Sequence, residues 1–398
     1  MIDICNLRLE EVGDWVRLVV DISSDFERED KQDNIWVAVK KENASMLTDD
    51  VYNAFLFLPT YMAMYYKSDL HIHGSVSKEL YRNVVDYLQP ILESFSDSLS
   101  RINICVDGFA ESNGPHNLVA TGMSCGVDCF QTIHKYYKNE KDAEYLINSL
   151  FFLNCGWNGP YGNNTTLEVC AKRYEMNKKA ADDLGLPLYM VDSNLHAFLA
   201  FLDDQISPLY IYTCIFALEK ALNKYYFSGS LSYGQTLKDA FSYRNLDFMA
   251  YGDISAVPLL HSKKMSVILD GCQYERVEKT ELIYNWNITK KYLNVCCIND
   301  AQENCSECSK CLRTLCALDA IGCLDEYKEI FAIDKFKGVS YHMKCSIVRE
   351  RHKNIFYEEL YNLYLANNIV MPSNARVRLH FLGMSFRKRL DKLFNLFR

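Results

Sequence analysis

Residues 117–129 read NLVATGMSCGVDC, and the fold is decided there. NLVAT is a short apolar run of the length of a buried strand, and from Asp128 the chain changes to the helix-like DCFQTIHKYY. Between them lies the turn Thr121-Gly122-Met123-Ser124-Cys125-Gly126-Val127. A strand that passes through a glycine-containing turn into a helix is the first half of a βαβ unit. In such a turn small residues let the backbone approach an anion, successive N–H groups form a nest, and the helix N-terminus adds its positive dipole. Asp128 or Ser124 is also placed to cap the helix. The same turn is ordinary punctuation in many proteins. It is not a Walker loop, since no Gly-Lys-Ser/Thr follows, and it is not the dinucleotide GxGxxG pattern.

Outward from this stretch the alternation continues. INSLFFLN is followed by a helix through EVCAKRYEMNKKAADDLG, and LPLYMVDS by the helix IYTCIFALEKALNKY. YYFSGS supplies a fourth strand and YLNVCC a fifth. Strand and helix in alternation predict an α/β fold, a doubly wound parallel sheet covered on both faces. Residues 1–113 instead mix short pieces (DNIWVAVK, NAFLFLPTYMAMYY, DLHIHG, VSKELYRNVVDYLQPILESF), as in a small α+β domain. Gly114-Pro115 then marks a turn and places a boundary near Ser112. Beyond residue 323 the pattern is helical, with YEELYNLYLANN amphipathic, completing a core or a dimer surface. The expected organisation is 1–113, a small α+β domain of unknown role; 114–323, the parallel-sheet domain; and 324–398, a helical extension.

YLNVCC runs directly into Cys297-INDAQEN-Cys305-SE-Cys308-SK-Cys311 and then the helix-like LRTLCALDAIG. Three cysteines at intervals of three sit on one tight loop where their sulfurs converge, and the fourth arrives from the preceding segment. Zinc takes such a tetrahedral thiolate set at roughly 2.3 Å per bond. Buried helix cysteines or an iron–sulfur cluster share the spacing; zinc is the preferred reading. Cys297 is taken as the first ligand, with Cys296 as its substitute. An all-cysteine set predicts a structural ion rather than a catalytic one.

A chain of 398 residues, 49% hydrophobic and 24% charged, has ample material for a core and the size of two domains. Its start lacks a basic segment followed by an apolar run, and no stretch reaches the roughly 20 apolar residues a membrane span needs, so a cytoplasmic protein is expected. On that reading the 16 cysteines are reduced thiols rather than a disulfide framework. A formal charge of −8 argues against a broad nucleic-acid-binding surface. The tail 376–398 is locally basic, with Phe386, Leu390, Leu393, Phe394 and Phe397 at helical spacing. Docking on its own domain is the commoner fate of such a helix, and weak contact with an anionic membrane surface or a partner is the other. His71 and His73 alternate on a strand and share a face, but with only Asp69 nearby in sequence they read as ordinary strand residues. His196 and His261, near predicted strand ends, read as structural or exposed.

The segment Ser124-Cys125-Gly126-Val127-Asp128-Cys129 resembles SGGxDS, the signature of the PP-loop ATP pyrophosphatases, an adenine nucleotide α-hydrolase family. Ser124, Gly126 and Asp128 match; Cys125 stands for the first glycine and Cys129 for the final serine. The set Cys297, Cys305, Cys308 and Cys311 is similar to the zinc site of the 7-cyano-7-deazaguanine synthases of that family and follows in the same order. NSLFFLNCGWNG resembles the family's second strand and loop, and YYFSGSLSYG a later nucleotide-side loop. CSECSKCLRTLCAL and YERVEKTELI look closer still to homologues that carry an added N-terminal domain. The resemblance spans roughly residues 115–323.

It implies a Rossmann-like PP-loop domain that cleaves ATP between the α and β phosphates. An adenylated carboxylate or amide would form and be displaced by a nucleophile: amidation or ligation of an unidentified acid or protein terminus. It also implies a nucleotide loop of Gly122, Ser124, Cys125, Gly126, Val127, Asp128 and Cys129, with Ser124 and Asp128 in catalytic roles, at the phosphate and at Mg2+. Arg276 and Lys279, one helical turn apart, would neutralise phosphates or a substrate carboxylate; the alternative is an exposed helix beside Glu275 and Glu278. ATP, Mg2+ and Zn2+ are thus the expected ligands. Cys125 brings a Cβ where glycine allows positive φ. Cys129 is a weaker donor than serine, or a nucleophile activated by the helix N-terminus. Two other functions fit the same residues: a tRNA thiolation enzyme, against which the acidic charge weighs, and a catalytically degenerate, zinc-stabilised scaffold that binds a partner.

Overall fold

In a computed structural model of the chain all residues are described except 157, 201–202, 242–251, 297, 299–302 and 385–398. The chain forms two compact units: Met1–Ser124 with Asp128–Gln273, and Cys125–Val127 with Tyr274–Arg398.

The first unit is built on one sheet of ten strands: β1 (Ile2–Val12), β2 (Trp15–Ser24), β3 (Asn34–Lys40), β4 (Leu70–Val76), β5 (Ile104–Phe109), β6 (Leu118–Gly122), β7 (Ser149–Asn154), β8 (Leu188–Ser193), β9 (Leu222–Ser228) and β10 (Ser266–Asp270). Their order is β10-β9-β6-β7-β8-β3-β2-β1-β4-β5. The five strands from β10 to β8 run parallel. β7 and β9 are almost wholly buried, as strands covered on both faces must be. The chain enters this region at the central strand β6, moves outward through β7 and β8, then crosses back to add β9 and β10 on the other side. The junction of β6 and β9 is therefore a topological switch point, where loops leaving the carboxyl ends of the strands diverge and open a crevice.

The N-terminal segment does not close on itself. β3, buried from Ile35 to Val39, pairs antiparallel with β8, and Asn194 clamps the joint by accepting from Trp36 N–H at 2.8 Å and donating to Asn34 O at 2.8 Å. A strand this apolar cannot stay an edge, so β1–β5 extend the same sheet. Ser112, the expected boundary, lies inside the first unit, and the division falls between Gln273 and Tyr274.

Three further elements differ from expectation. The helix expected to run through Tyr225 ends at Phe216, and β9 begins at Leu222. The fifth parallel strand is SVILD, β10. YLNVCC is not a strand: Val295 N–H donates to Asn304 Oδ1 (2.9 Å) and Cys296 N–H to Asn294 Oδ1 (3.1 Å), so side-chain amides take the groups a ladder would have used. The second unit is helical, with Arg276–Ile283, Asn287–Tyr292, Ser309–Ile321, Ile333–Glu350 and Ile355–Ala366. Leu315, Leu318, Phe336, Leu360 and Tyr364 are buried among them, and the Tyr364 hydroxyl donates to Asp319 at 2.9 Å. Among the described residues no helix is long and apolar enough to cross a membrane. Phe386, Leu390, Leu393, Phe394 and Phe397 lie outside the described residues.

Candidate functional site

The loop after β6 is fixed at its root. Thr121 Oγ1 donates to Tyr226 O (2.8 Å), Met123 N–H to Phe151 O (2.7 Å), and the buried Asn177 Nδ2 to Met123 O (2.8 Å). A Cβ on Gly122 would come 3.0 Å from the Tyr225 hydroxyl, so this glycine answers to packing. Ser124 is exposed, and its N–H donates to Cys129 Sγ at 3.5 Å. Cys125 is fully buried with φ of 56°. That left-handed conformation costs a non-glycine residue roughly 1–2 kcal/mol; it is the one for which the resemblance expects glycine. Val127 opens the helix Val127–Ile133, and Asp128 lies in its first turn, where a carboxylate complements the helix dipole. Gly126 is half-buried at the entry to that turn.

Cys129 is 4% exposed, and its thiol lies 3.7 Å from Met123 Sδ. It packs inside the loop as an acceptor for Ser124, and its burial counts against the reading of Cys129 as a nucleophile at the helix N-terminus. With Cys125 also fully buried, neither thiol is presented to a sulfur acceptor.

Across the switch point, β9 ends at Ser228 and the chain turns at Gly229, whose N–H donates to Asp270 O at 2.8 Å. A Cβ here would sit 2.3 Å from Cys272 Sγ and displace it, so this glycine answers to packing. Asp270, at the carboxyl end of β10 and 1% exposed, accepts from Lys135 Nζ (2.6 Å), Thr132 Oγ1 (3.1 Å), Gln273 Nε2 (3.2 Å) and Gln131 Nε2 (3.3 Å). Burial alone would push this carboxyl up; the bond and charge of Lys135, with Gln273 and Thr132, hold it below the usual carboxylate value. Ser228 Oγ donates to Thr132 at 3.0 Å and joins the end of β9 to this network. None of Asp270, Lys135 and Thr132 stood out in the sequence, and Ser228 did so only as part of YYFSGSLSYG; an acidic residue closing a short apolar run, SVILD, was the available signal.

In the second unit Cys296, Cys305, Cys308 and Cys311 bring their sulfurs within 4.8 Å of one another, with Cys305 and Cys311 Sγ 3.9 Å apart. Four thiolates on zinc at about 2.3 Å per bond stand about 3.8 Å apart, so the set fits this ion. Cys308 is the N-cap of the helix Ser309–Ile321, and Cys311, in its first turn, is buried. Ser306 at φ of 62° folds the loop back. The N–H groups of Cys308 (3.2 Å) and Glu307 (3.5 Å) donate to Cys305 Sγ. Asn304 Nδ2 ties the loop to Leu293 O (2.8 Å) and Ile330 O (3.2 Å). Burial, then the neighbouring cysteines, push the Cys311 thiol up, and burial with Cys305 and Cys308 nearby does the same to Cys296. A dication reverses that penalty, since a coordinating thiol is deprotonated outright. Cys296 holds the place expected for Cys297, which lies outside the described residues.

Arg276 and Lys279 belong to the helix Arg276–Ile283, which opens with a reciprocal capping box between Glu275 and Glu278. Lys279 is fully buried, so the exposed-helix reading fails for it. Arg276 lines a small cavity with Arg313, Thr314, Phe356 and Glu359. Burial and the charge of Glu275 push the Glu359 carboxyl up to about 7, and it accepts from Val277 N–H at 3.3 Å.

His196 follows β8 in the turn Leu195–Ala197. It is 5% exposed, its Nδ1 has no partner among the described residues, and Tyr161 meets it edge-on at 5.3 Å. Burial pushes it down to about 4, so the imidazole is neutral at physiological pH. His261 is partly exposed, 3.3 Å from Glu79.

No family model matches the chain, and neither curated proteins nor solved structures give a match.

Proposed function

We propose that the loop Gly122–Cys129 binds the phosphates of a nucleotide and that the chain is an ATP-dependent, AMP- and pyrophosphate-forming amidating or ligating enzyme with a structural zinc. One observation carries this reading: Cys125 holds a left-handed backbone at the position where SGGxDS has glycine, in the loop leaving the central strand at the switch point of the parallel sheet, where such folds bind ligands. On this reading a substrate carboxylate or amide oxygen attacks the α-phosphorus, the α–β bridging bond breaks with its electron pair leaving on pyrophosphate, and a nucleophile then displaces AMP. The backbone N–H groups of the loop and the Ser124 hydroxyl would stabilise the charge on the departing phosphates, and Asp128 would hold the waters of Mg2+, which supplies charge neutralisation when bound. The cysteine cluster would hold zinc as a closed tetrathiolate that braces the fold.

The degenerate scaffold is the second reading, favoured by the burial of both Cys125 and Cys129 in the loop. Thiolation is disfavoured by the same burial. Calorimetry with Mg-ATP on the zinc-loaded protein, beside a folded Asp128→Ala variant, separates the first two. Binding by wild type that the variant loses supports the enzyme, with pyrophosphate release as the assay for substrates; no binding by wild type overturns it in favour of the scaffold.

A further inference from the structure

The sheet of the first unit ends in the parallel trio β1, β4 and β5, with β4 in the middle. Register pairs Asp3 with His71 and His71 with Cys105. Because side chains alternate along a strand, Asp3 and Cys5 of β1, His71 and His73 of β4, and Cys105 and Asp107 of β5 all stand on one face. The opposite face carries the buried Ile2, Ile4, Leu70, Ile72 and Ile104. The polar face is open to water: the Asp3, His71 and His73 side chains are 33%, 29% and 41% exposed.

The contacts on this face are specific. His73 Nε2 lies 2.9 Å and His71 Nδ1 4.0 Å from Asp3 Oδ1, and His71 Nε2 lies 3.1 Å from Asp107 Oδ1. The two imidazole rings lie against each other, tilted by 35°, with centroids 3.9 Å apart. One ligand atom from each of Asp3, His71 and His73 lies within 4.8 Å of the others. Asp69, the carboxylate that the sequence placed nearest, is turned away to accept from Asn103 N–H at 2.9 Å; the acidic partners come from β1 and β5 instead.

We propose that Asp3, His71 and His73, with Asp107 at the rim, form a second metal site, for zinc or another first-row divalent transition ion. Two imidazole nitrogens and a carboxylate are the donor set such ions select, whereas Mg2+ and Ca2+ take oxygen ligands. Tetrahedral coordination by nitrogen and oxygen at about 2.0–2.1 Å separates donors by about 3.3 Å, which side-chain rotations reach from the observed distances. A surface ion pair alone would contribute little and needs no second imidazole set against the first. The three protein donors leave a coordination position for water. The ion would staple β1 to β4, one strand in from the edge strand β5. Unlike the four-cysteine site, it is built from nitrogen and oxygen.

Cobalt(II) titration of the untagged full-length protein tests this, because thiolate–cobalt coordination gives an intense near-ultraviolet charge-transfer band and a nitrogen–oxygen site does not. Wild type is expected to bind one equivalent with that band and a second showing only weak visible bands. His71→Asn/His73→Asn should lose the second equivalent alone, and Cys305→Ser/Cys308→Ser the first alone. The histidines are partly exposed, so their variant keeps the fold, and Asp3→Asn provides an independent check by weakening the second equivalent. The proposal is overturned if wild type binds only the thiolate equivalent, or if the histidine variant keeps the stoichiometry and spectrum of wild type.

Discussion

Acidification isolates the contribution of His196. Its ordinary pKa of 6.5 falls to about 4 in the folded chain because burial disfavours the imidazolium. The folded value is the lower one, so stability attached to this residue is intact above about pH 6.5, falls as the unfolded chain takes up a proton that the folded chain refuses, and levels off only near pH 4. At pH 5.0 the unfolded imidazole is almost fully protonated and the folded one hardly at all; the difference amounts to about 1.5 units, or about 2 kcal/mol relative to pH 7.5. Urea denaturation of wild type and His196→Gln at the two pH values reads this directly. The glutamine does not titrate, and whatever it costs in packing against Tyr161 appears at both pH values and cancels. Wild type should lose about 2 kcal/mol more than the variant. Equal losses would refute the reasoning, since they would mean that His196 takes up its proton as freely folded as unfolded.

Gly229→Ala places a Cβ 2.3 Å from Cys272 Sγ and should destabilise the chain by about 1–3 kcal/mol as overpacking does; urea denaturation measures this, and Cys272→Ala in the same chain should recover part of the loss. Cys125→Gly should leave stability within about 1 kcal/mol of wild type, since relief of the left-handed strain offsets lost burial and added chain freedom. Its Mg-ATP affinity, measured by calorimetry, should be no weaker than that of wild type, because the backbone conformation suits glycine and a Cβ has been removed from the phosphate approach.

What could be read from the chain in advance was what is local. The strands β6 to β8 are apolar runs flanked by turn residues and separated by helical periodicity, and they lie where that pattern puts them, whereas β9 begins at Leu222, inside the stretch that pattern gave to a helix. SVILD was missed because five residues carry little periodic signal, and YLNVCC was misread because nothing in a run of apolar residues announces that Asn294 and Asn304 will take its backbone N–H groups. The boundary near Ser112 rested on a turn, whereas the pairing of β3 with β8 joins residues more than 150 apart, as the Trp36–Asn194 bond shows. The candidate site divides the same way. Cys305, Cys308 and Cys311 were legible from spacing, and the choice between Cys296 and Cys297 depended on side-chain direction in a segment that is not a strand. Asp270 meets Lys135 of the helical segment His134–Lys138, and Asp3 meets His71 through strand register; no local window contains either.

The conformation of Cys125 bears on function because strain of this kind persists only where the surroundings over-determine it. Met123 before it is held through both N–H and O, by Phe151 and Asn177. Ser124 is held by Cys129 Sγ, and the Cys125 carbonyl accepts from Asn294 N–H at 2.8 Å. A turn that merely joined a strand to a helix could shed the cost by a glycine at this position or by one more residue. Here the left-handed bend is kept with a side chain that disfavours it, and that side chain is buried, which returns part of the cost. The loop therefore keeps its left-handed bend independently of glycine. The enzyme and scaffold readings then differ over whether the buried sulfurs leave room for a phosphate.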